Sequence, residues 1–261
     1  MSEPIQKRLL RSLFFSGMAM LLFLQSGAAV IADAQPTSNT RERLGFNLYW
    51  GFIKVGEAVM EELPNAFLDG QVARHFRLKI RTNALIDLIY KVRNEIETFT
   101  DLEISRSLLY RKKQFEGGSQ KDVTVKFDWE NRKASHLNSG KFGQETELLP
   151  GTFDPLGILY YLRTFNFAKA GRFEAPVADG KKCIVSSVTL QGTELLHFEG
   201  KSHEAVILQS EMKDIEGLFE NSGDSRFTLW LSTDHARIPL KIHIEMFFGT
   251  VVCKLVSTTL G

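Results

Sequence analysis

The stretch VARHFRLKIRT, residues 72–82, is the cleanest alternation in the chain. Val72, Arg74, Phe76, Leu78 and Ile80 fall on one side of an extended backbone, and Ala73, His75, Arg77, Lys79 and Arg81 on the other. A helical repeat of 3.6 would mix the two sets, whereas the period of two in a strand keeps them apart. One face of this strand is therefore core and the other is wet. Arg77, Lys79 and Arg81 have two readings: a solvated strand face, or a stripe for an acidic ligand.

The same rhythm continues on both sides. Upstream, Leu44, Phe46, Leu48 and Trp50 alternate with Arg43, Gly45, Asn47 and Tyr49, and Gly51 and Gly56 flank Phe52 to Val55 as at a bend or bulge. Downstream, strands are expected over Tyr90 to Thr98, Leu108 to Phe115 and Val123 to Trp129, with Ala134 to Leu137 returning as a hairpin arm. Later ones are Cys183 to Leu190 paired with Glu194 to Phe198, then Glu204 to Ser210, Phe227 to Leu231, Leu240 to Met246 and Val251 to Thr258. Strands at this spacing, with no repeat or linker between them, predict a mainly β single domain built on a curved antiparallel sheet.

The exception is FDPLGILYYLRTFNFA, residues 153–168. Asp154 is a good N-cap, Pro155 suits the first helical position and Gly171 closes the far end, so one helix is expected over Asp154 to Ala168. Its apolar residues cover too wide an arc for a single buried face, as for a helix inside or across the mouth of a curved sheet. Arg163 is its only basic residue and has two readings: its head group snorkels to the surface along its own stem, or it is buried and must meet a carboxylate or carbonyl groups.

Residues 1–34 read as a secretory signal: Lys7, Arg8 and Arg11 precede an apolar run from Leu13 to Leu24, and Ala32-Asp33-Ala34 forms an A-x-A cleavage site. A retained membrane anchor is the competing reading of the same residues. The signal reading implies a periplasmic protein, soluble after cleavage, with residues 35–42 as a flexible leader and 43–261 as one β-rich domain. Cleavage would leave 227 of the 261 residues and 29 charges of each sign, so the +1 of the full chain belongs to the signal. A balanced charge offers no field for a phosphate backbone and argues against nucleic-acid binding. An oxidising compartment permits a disulfide between Cys183 and Cys253; two buried free thiols are the other reading.

Motifs for chemistry are missing. Neither GxxxxGK[ST] nor GxGxxG occurs, GxSxG is absent, and the six histidines show no HxH or HExxH spacing. Asp234-His235 lies in turn-like sequence before Pro239 and reads as a turn. The residues give no catalytic site, no metal site and no cofactor.

Three segments carry a resemblance. LGFNLYWGFIKVGEAVMEE near the expected mature start, DPLGILYYLR (Asp154 to Arg163) and LWLSTDHARIPLKI (Leu229 to Ile242) are similar to motifs of a bacterial family of exported proteins, the domain of unknown function 3108. The chain departs at Gly157, where that family usually has serine. The resemblance implies a periplasmic β-rich domain, and fold analogy suggests a half-open barrel like lipocalins or outer-membrane lipoprotein carriers. It brings no activity with it.

The expectation for function is a non-catalytic envelope protein that holds an apolar or lipid-like ligand between the concave sheet face and the helix. Trp50, Tyr160, Tyr161 and Trp230 are the candidate lining, with Arg163 offered to an anionic head group. An envelope assembly or interaction factor without a ligand, its partner another envelope protein, is the first alternative. A hydrolase of envelope polymers is the second.

Overall fold

The computed structural model describes residues 40–212, 225–246 and 249–260. The expected signal, and all of the leader before Thr40, lie outside the described residues. The first half of the chain forms β1 (Glu42–Trp50), β2 (Ile53–Leu68), β3 (Gln71–Thr82), the single turn α1 (Ala84–Asp87), β4 (Val92–Thr100), β5 (Ser107–Glu116), β6 (Ser119–Asp128), β7 (Lys133–Asn138) and the short β8 (Lys141–Phe142) and β9 (Thr146–Glu147). Then come α2 (Gly157–Leu162), α3 (Phe167–Ala170), β10 (Arg172–Ala178), β11 (Cys183–Phe198), β12 (Lys201–Met212), β13 (Ser225–Ser232), β14 (Pro239–Met246) and β15 (Gly249–Leu260).

These strands make one antiparallel sheet in the order β10-β11-β12-β13-β14-β15-β1-β2-β3-β4-β5-β6-β7-β8, with β9 beside β7. The first and fifteenth strands are neighbours at its middle, Glu42 opposite Leu260 and Trp50 opposite Val251. The fold is mainly β and open, as the alternation predicts. The segment before α2 bridges β5 and the edge strand β10: Ser107 N–H donates to Thr152 O at 3.1 Å, while Phe153 N–H donates to Pro176 O at 3.0 Å and Phe153 O accepts from Ala178 N–H at 2.8 Å. Gly180, at φ 88°, seats the β10–β11 turn on the far wall, where an added Cβ would lie 2.6 Å from Val125 Cγ2. Only glycine closes the curve so tightly.

The strands of the central sheet bury one face. Across the registers, Leu229, Ile242, Cys253 and Leu48 form one inner row and Phe46, Ala58 and Ile80 another, all within a single core cluster that includes Leu156, Leu159, Tyr160 and Phe167. The outer face carries a ladder of opposite charges, in which Arg43, Glu61, Arg77, Glu97 and Arg111 stand side by side on β1 to β5. Arg77 reaches Glu61 at 2.8 Å, Arg81 reaches Glu57 at 2.9 Å and Lys79 reaches Glu95 at 3.6 Å. The basic stripe on β3 is thus matched by its neighbours, which supports the solvated-face reading.

Four expectations are corrected. The helix over 154–168 is two short pieces. Its last turn tightens as Thr164 N–H and hydroxyl both return to Tyr161 O at 2.8 Å, and Asn166 leaves helical geometry at φ −91°, ψ 88° before α3. Second, Cys183–Leu190 and Glu194–Phe198 are one strand, β11, continued through a bulge at Leu190/Gly192. Third, the leader ends earlier than residue 42, because Glu42 opens β1 and is buried. Fourth, Cys183 and Cys253 are both free: Cys253 is buried between Leu48 and Ile242, whereas Cys183 on β11 sits 3.5 Å from the Thr152 hydroxyl.

Candidate functional site

The inner rows leave a cavity of about 30 Å³, room for about one water molecule. Phe46, Leu48, Met60, Ile80, Phe227 and Ile244 are among its walls and Leu159 of α2 contributes from the helix. Its position follows from the alternation, since these are inward residues from the halves of β1, β2, β3, β13 and β14 nearest one end of the curved sheet. Every lining residue is apolar, so the site offers neither hydrogen bonds nor charge to a ligand. What it can do chemically is exclude water around hydrocarbon. Cys253 is its one reactive group, and burial pushes the thiol up to about 12.

Neither the four candidate lining residues nor Arg163 borders this cavity. Tyr160 is buried in the core, stacked on Phe76 with ring centres 3.8 Å apart, and its hydroxyl donates to Glu61 O at 3.3 Å. Tyr161 belongs to an aromatic group with Phe153 at 4.8 Å and Phe173 at 5.2 Å. Trp50 ends β1 against Gly249 at the start of β15, close enough that a Cβ there would lie 2.5 Å from its Nε1. Trp230 lies on the outer wall: Lys241 Nζ is 3.8 Å from its ring centre, His243 packs at 4.6 Å, and its Nε1 donates to Glu194. All four lie in apolar runs of sequence; strand parity turns Trp230 away from the inner rows, and Tyr160 and Tyr161 leave the helix towards different neighbours.

Arg163 is committed to the protein. Its guanidinium donates twice to the Glu42 carboxylate at 2.6 Å and to Ala236 O and Arg237 O at 3.0 Å. Burial alone would lower its pKa, but the Glu42 carboxylate and its hydrogen bonds more than offset this and raise it. The partners that burial demanded are present, and four of the five N–H donors are spent on them. The carbonyls come from the β13–β14 turn, which Asp234 organises by accepting from Ser232 Oγ at 2.9 Å and from the Ala236 and Arg237 amides at 3.1 Å. The turn reading of Asp234-His235 matches this geometry.

A second polar centre was legible only as a helix cap. Asp154 is wholly buried; its Oδ1 accepts from Leu156 and Gly157 N–H at 2.8 Å, and its Oδ2 from the hydroxyls of Thr98 on β4 and Ser107 on β5. Desolvation raises the carboxyl pKa, and these four bonds only partly counter it. A Cβ on Gly157 would stand 2.8 Å from Ser107 Oγ, so glycine is what admits the two hydroxyls. Asp154 and its partners are sealed from solvent, which makes the cluster a fastening between helix and wall. Among the described residues, no group of three or more His, Cys, Asp or Glu is placed to hold a metal.

Comparison with known proteins supports the fold. A β-barrel-like protein, the domain of unknown function DUF1849 from Brucella abortus, superposes with a TM-score of 0.56 at 15% identity, over 85% of this chain and 98% of that one. The hypothetical protein CT021 from Chlamydia trachomatis matches with a TM-score of 0.37 at 8% identity, over 83% of this chain and 86% of that one. No curated protein matches. The family described as "Protein of unknown function (DUF3108)" matches residues 45–256, which span the sheet from β1 into β15 and include the Asp154 fastening, and the chain belongs to that family.

Proposed function

We propose that this is an exported, non-catalytic protein of the bacterial envelope that binds an apolar, lipid-like ligand inside its barrel. The observation that carries the reading is the wholly apolar cavity beside α2. Its resting volume of about 30 Å³ is small, so a hydrocarbon chain enters as flexible lining side chains such as Met60 swing aside. The export part of the reading rests on Lys7, Arg8 and Arg11, the apolar run and Ala32-Asp33-Ala34.

Native mass spectrometry of protein purified from its own envelope tests both parts. The expected result is a chain beginning at Gln35 with a co-purifying lipid mass, and uptake of the neutral dye N-phenylnaphthylamine that Ala58→Phe abolishes. A clean ligand-free mass with no dye uptake overturns the ligand, and a retained Met1 overturns cleavage.

A further inference from the structure

The three most exposed large hydrophobic side chains among the described residues are Phe52 at 85%, Leu88 at 84% and Phe142 at 82%. Phe52 lies in the β1–β2 turn, Leu88 directly follows α1, and Phe142 is in β8. Strands β1 to β7 run alternately up and down, so β1, β3 and β7 all finish at the same end of the barrel, where these three connections sit. Asn83 fastens two of them together, its N–H to Val55 O at 3.0 Å and its Nδ2 to Lys54 O at 2.7 Å. The apolar cavity is nearer this end as well.

Each tip also carries a lysine. Lys54 is two residues past Phe52, Lys91 three past Leu88, and Lys141 directly precedes Phe142; all three are exposed. The nearby Asp87 carboxylate is held by Arg93 at 3.0 Å, and Glu57 bonds both Lys54 at 3.0 Å and Arg81 at 2.9 Å. A second copy meeting this face across a two-fold axis would bring lysine tips towards lysine tips. Three separate apolar points in a cationic collar instead match a broad, soft, negatively charged surface.

We propose that this end of the barrel docks on an anionic lipid bilayer, with Phe52, Leu88 and Phe142 entering the boundary between head groups and acyl chains and Lys54, Lys91 and Lys141 against lipid phosphates. The proposal goes beyond the cavity reading and stands without it. The test uses the full chain with a tryptophan reporter in turn at Phe52→Trp, Leu88→Trp and Phe142→Trp. Phe67→Trp is the control, because Phe67 is 73% exposed on the β2–β3 hairpin at the opposite end. Emission from the native Trp50, Trp129 and Trp230 is subtracted.

Vesicles of phosphatidylglycerol with brominated phosphatidylcholine should quench and blue-shift the three tips and leave the control unchanged, whatever else in the chain meets the bilayer. Brominated phosphatidylcholine alone should quench them far less. Joint Lys54→Gln, Lys91→Gln and Lys141→Gln substitution should remove that difference. Unquenched tips, or equal quenching at both ends, overturn the proposal. So does a blue shift without vesicles that grows with protein concentration, which would assign the face to a second copy. Dye uptake by the same proteins reports on the cavity separately.

Discussion

Asp154 shows how a single side chain can hold a structure together at a cost. Its folded pKa lies above the ordinary carboxylate value, so the folded state binds the proton more tightly than the unfolded one. Stability from this group is therefore fully present below the ordinary value and is lost as pH rises through the raised one. Asp154→Asn keeps a carbonyl for the two amides and faces an NH₂ to the two hydroxyls; urea denaturation should show a flatter pH profile with the fold retained. Asp154→Ala leaves four buried donors short and should cost about 2–4 kcal/mol. Arg163→Met strands the Glu42 charge in the interior and should cost about 3–5 kcal/mol, most of it recovered in the Glu42→Met/Arg163→Met double variant. Thiol labelling of the native protein should modify Cys183 alone, with Cys253 appearing only on unfolding, and reduction should leave gel mobility unchanged. From the sequence, Asp154 was readable as a cap; Arg163 was readable either as a snorkelling surface charge or as a buried one in need of partners, and the structure shows the second. That Thr98, Ser107 and Glu42 answer them was not readable, since those partners are 47 to 121 residues away and carry no local signal.

At the scale of elements, the two short helices matter through what they fasten. Tyr160 fills the core against Phe76 and Leu159 walls the cavity, so truncating either to alanine should cost about 2–5 kcal/mol in a denaturant titration. Gly157→Ala pushes a methyl against Ser107 Oγ and should cost about 1–3 kcal/mol, with the helix content unaltered by circular dichroism. Strands with one wet face announced themselves by period two, which is why β1, β3, β5 and β6 fall where alternation put them. Strand β10 was missed: Pro176 and the small Ala175 and Ala178 break the apolar rhythm, and its turn into β11 is seated against the distant Val125. The helix break was hidden because Thr164 and Asn166 weaken a helix only mildly by propensity, and tertiary bonds decide the outcome.

On the scale of the whole molecule, the charge ladder on β1 to β5 spreads balanced charge over an otherwise ordinary sheet face. Its Arg81–Glu57 pair is exposed to solvent, so raising NaCl to about 1 M should lower the thermal midpoint, more in the wild type than in a Glu57→Gln/Arg81→Gln variant. Architecture was legible to the level of a curved antiparallel sheet, because alternation reports which face is buried; strand order was not, because hairpin logic joins only sequence neighbours. The pairing of β1 with β15 is the case in point, and it governs how the protein comes into being. A chain emerging from the ribosome or through a membrane holds β1 with one edge bare until residues 249–260 follow it. The seam then closes over the longest loop available, a slow step that leaves a sticky strand exposed throughout. Any cell making this protein must keep that edge from other chains until the last strand arrives.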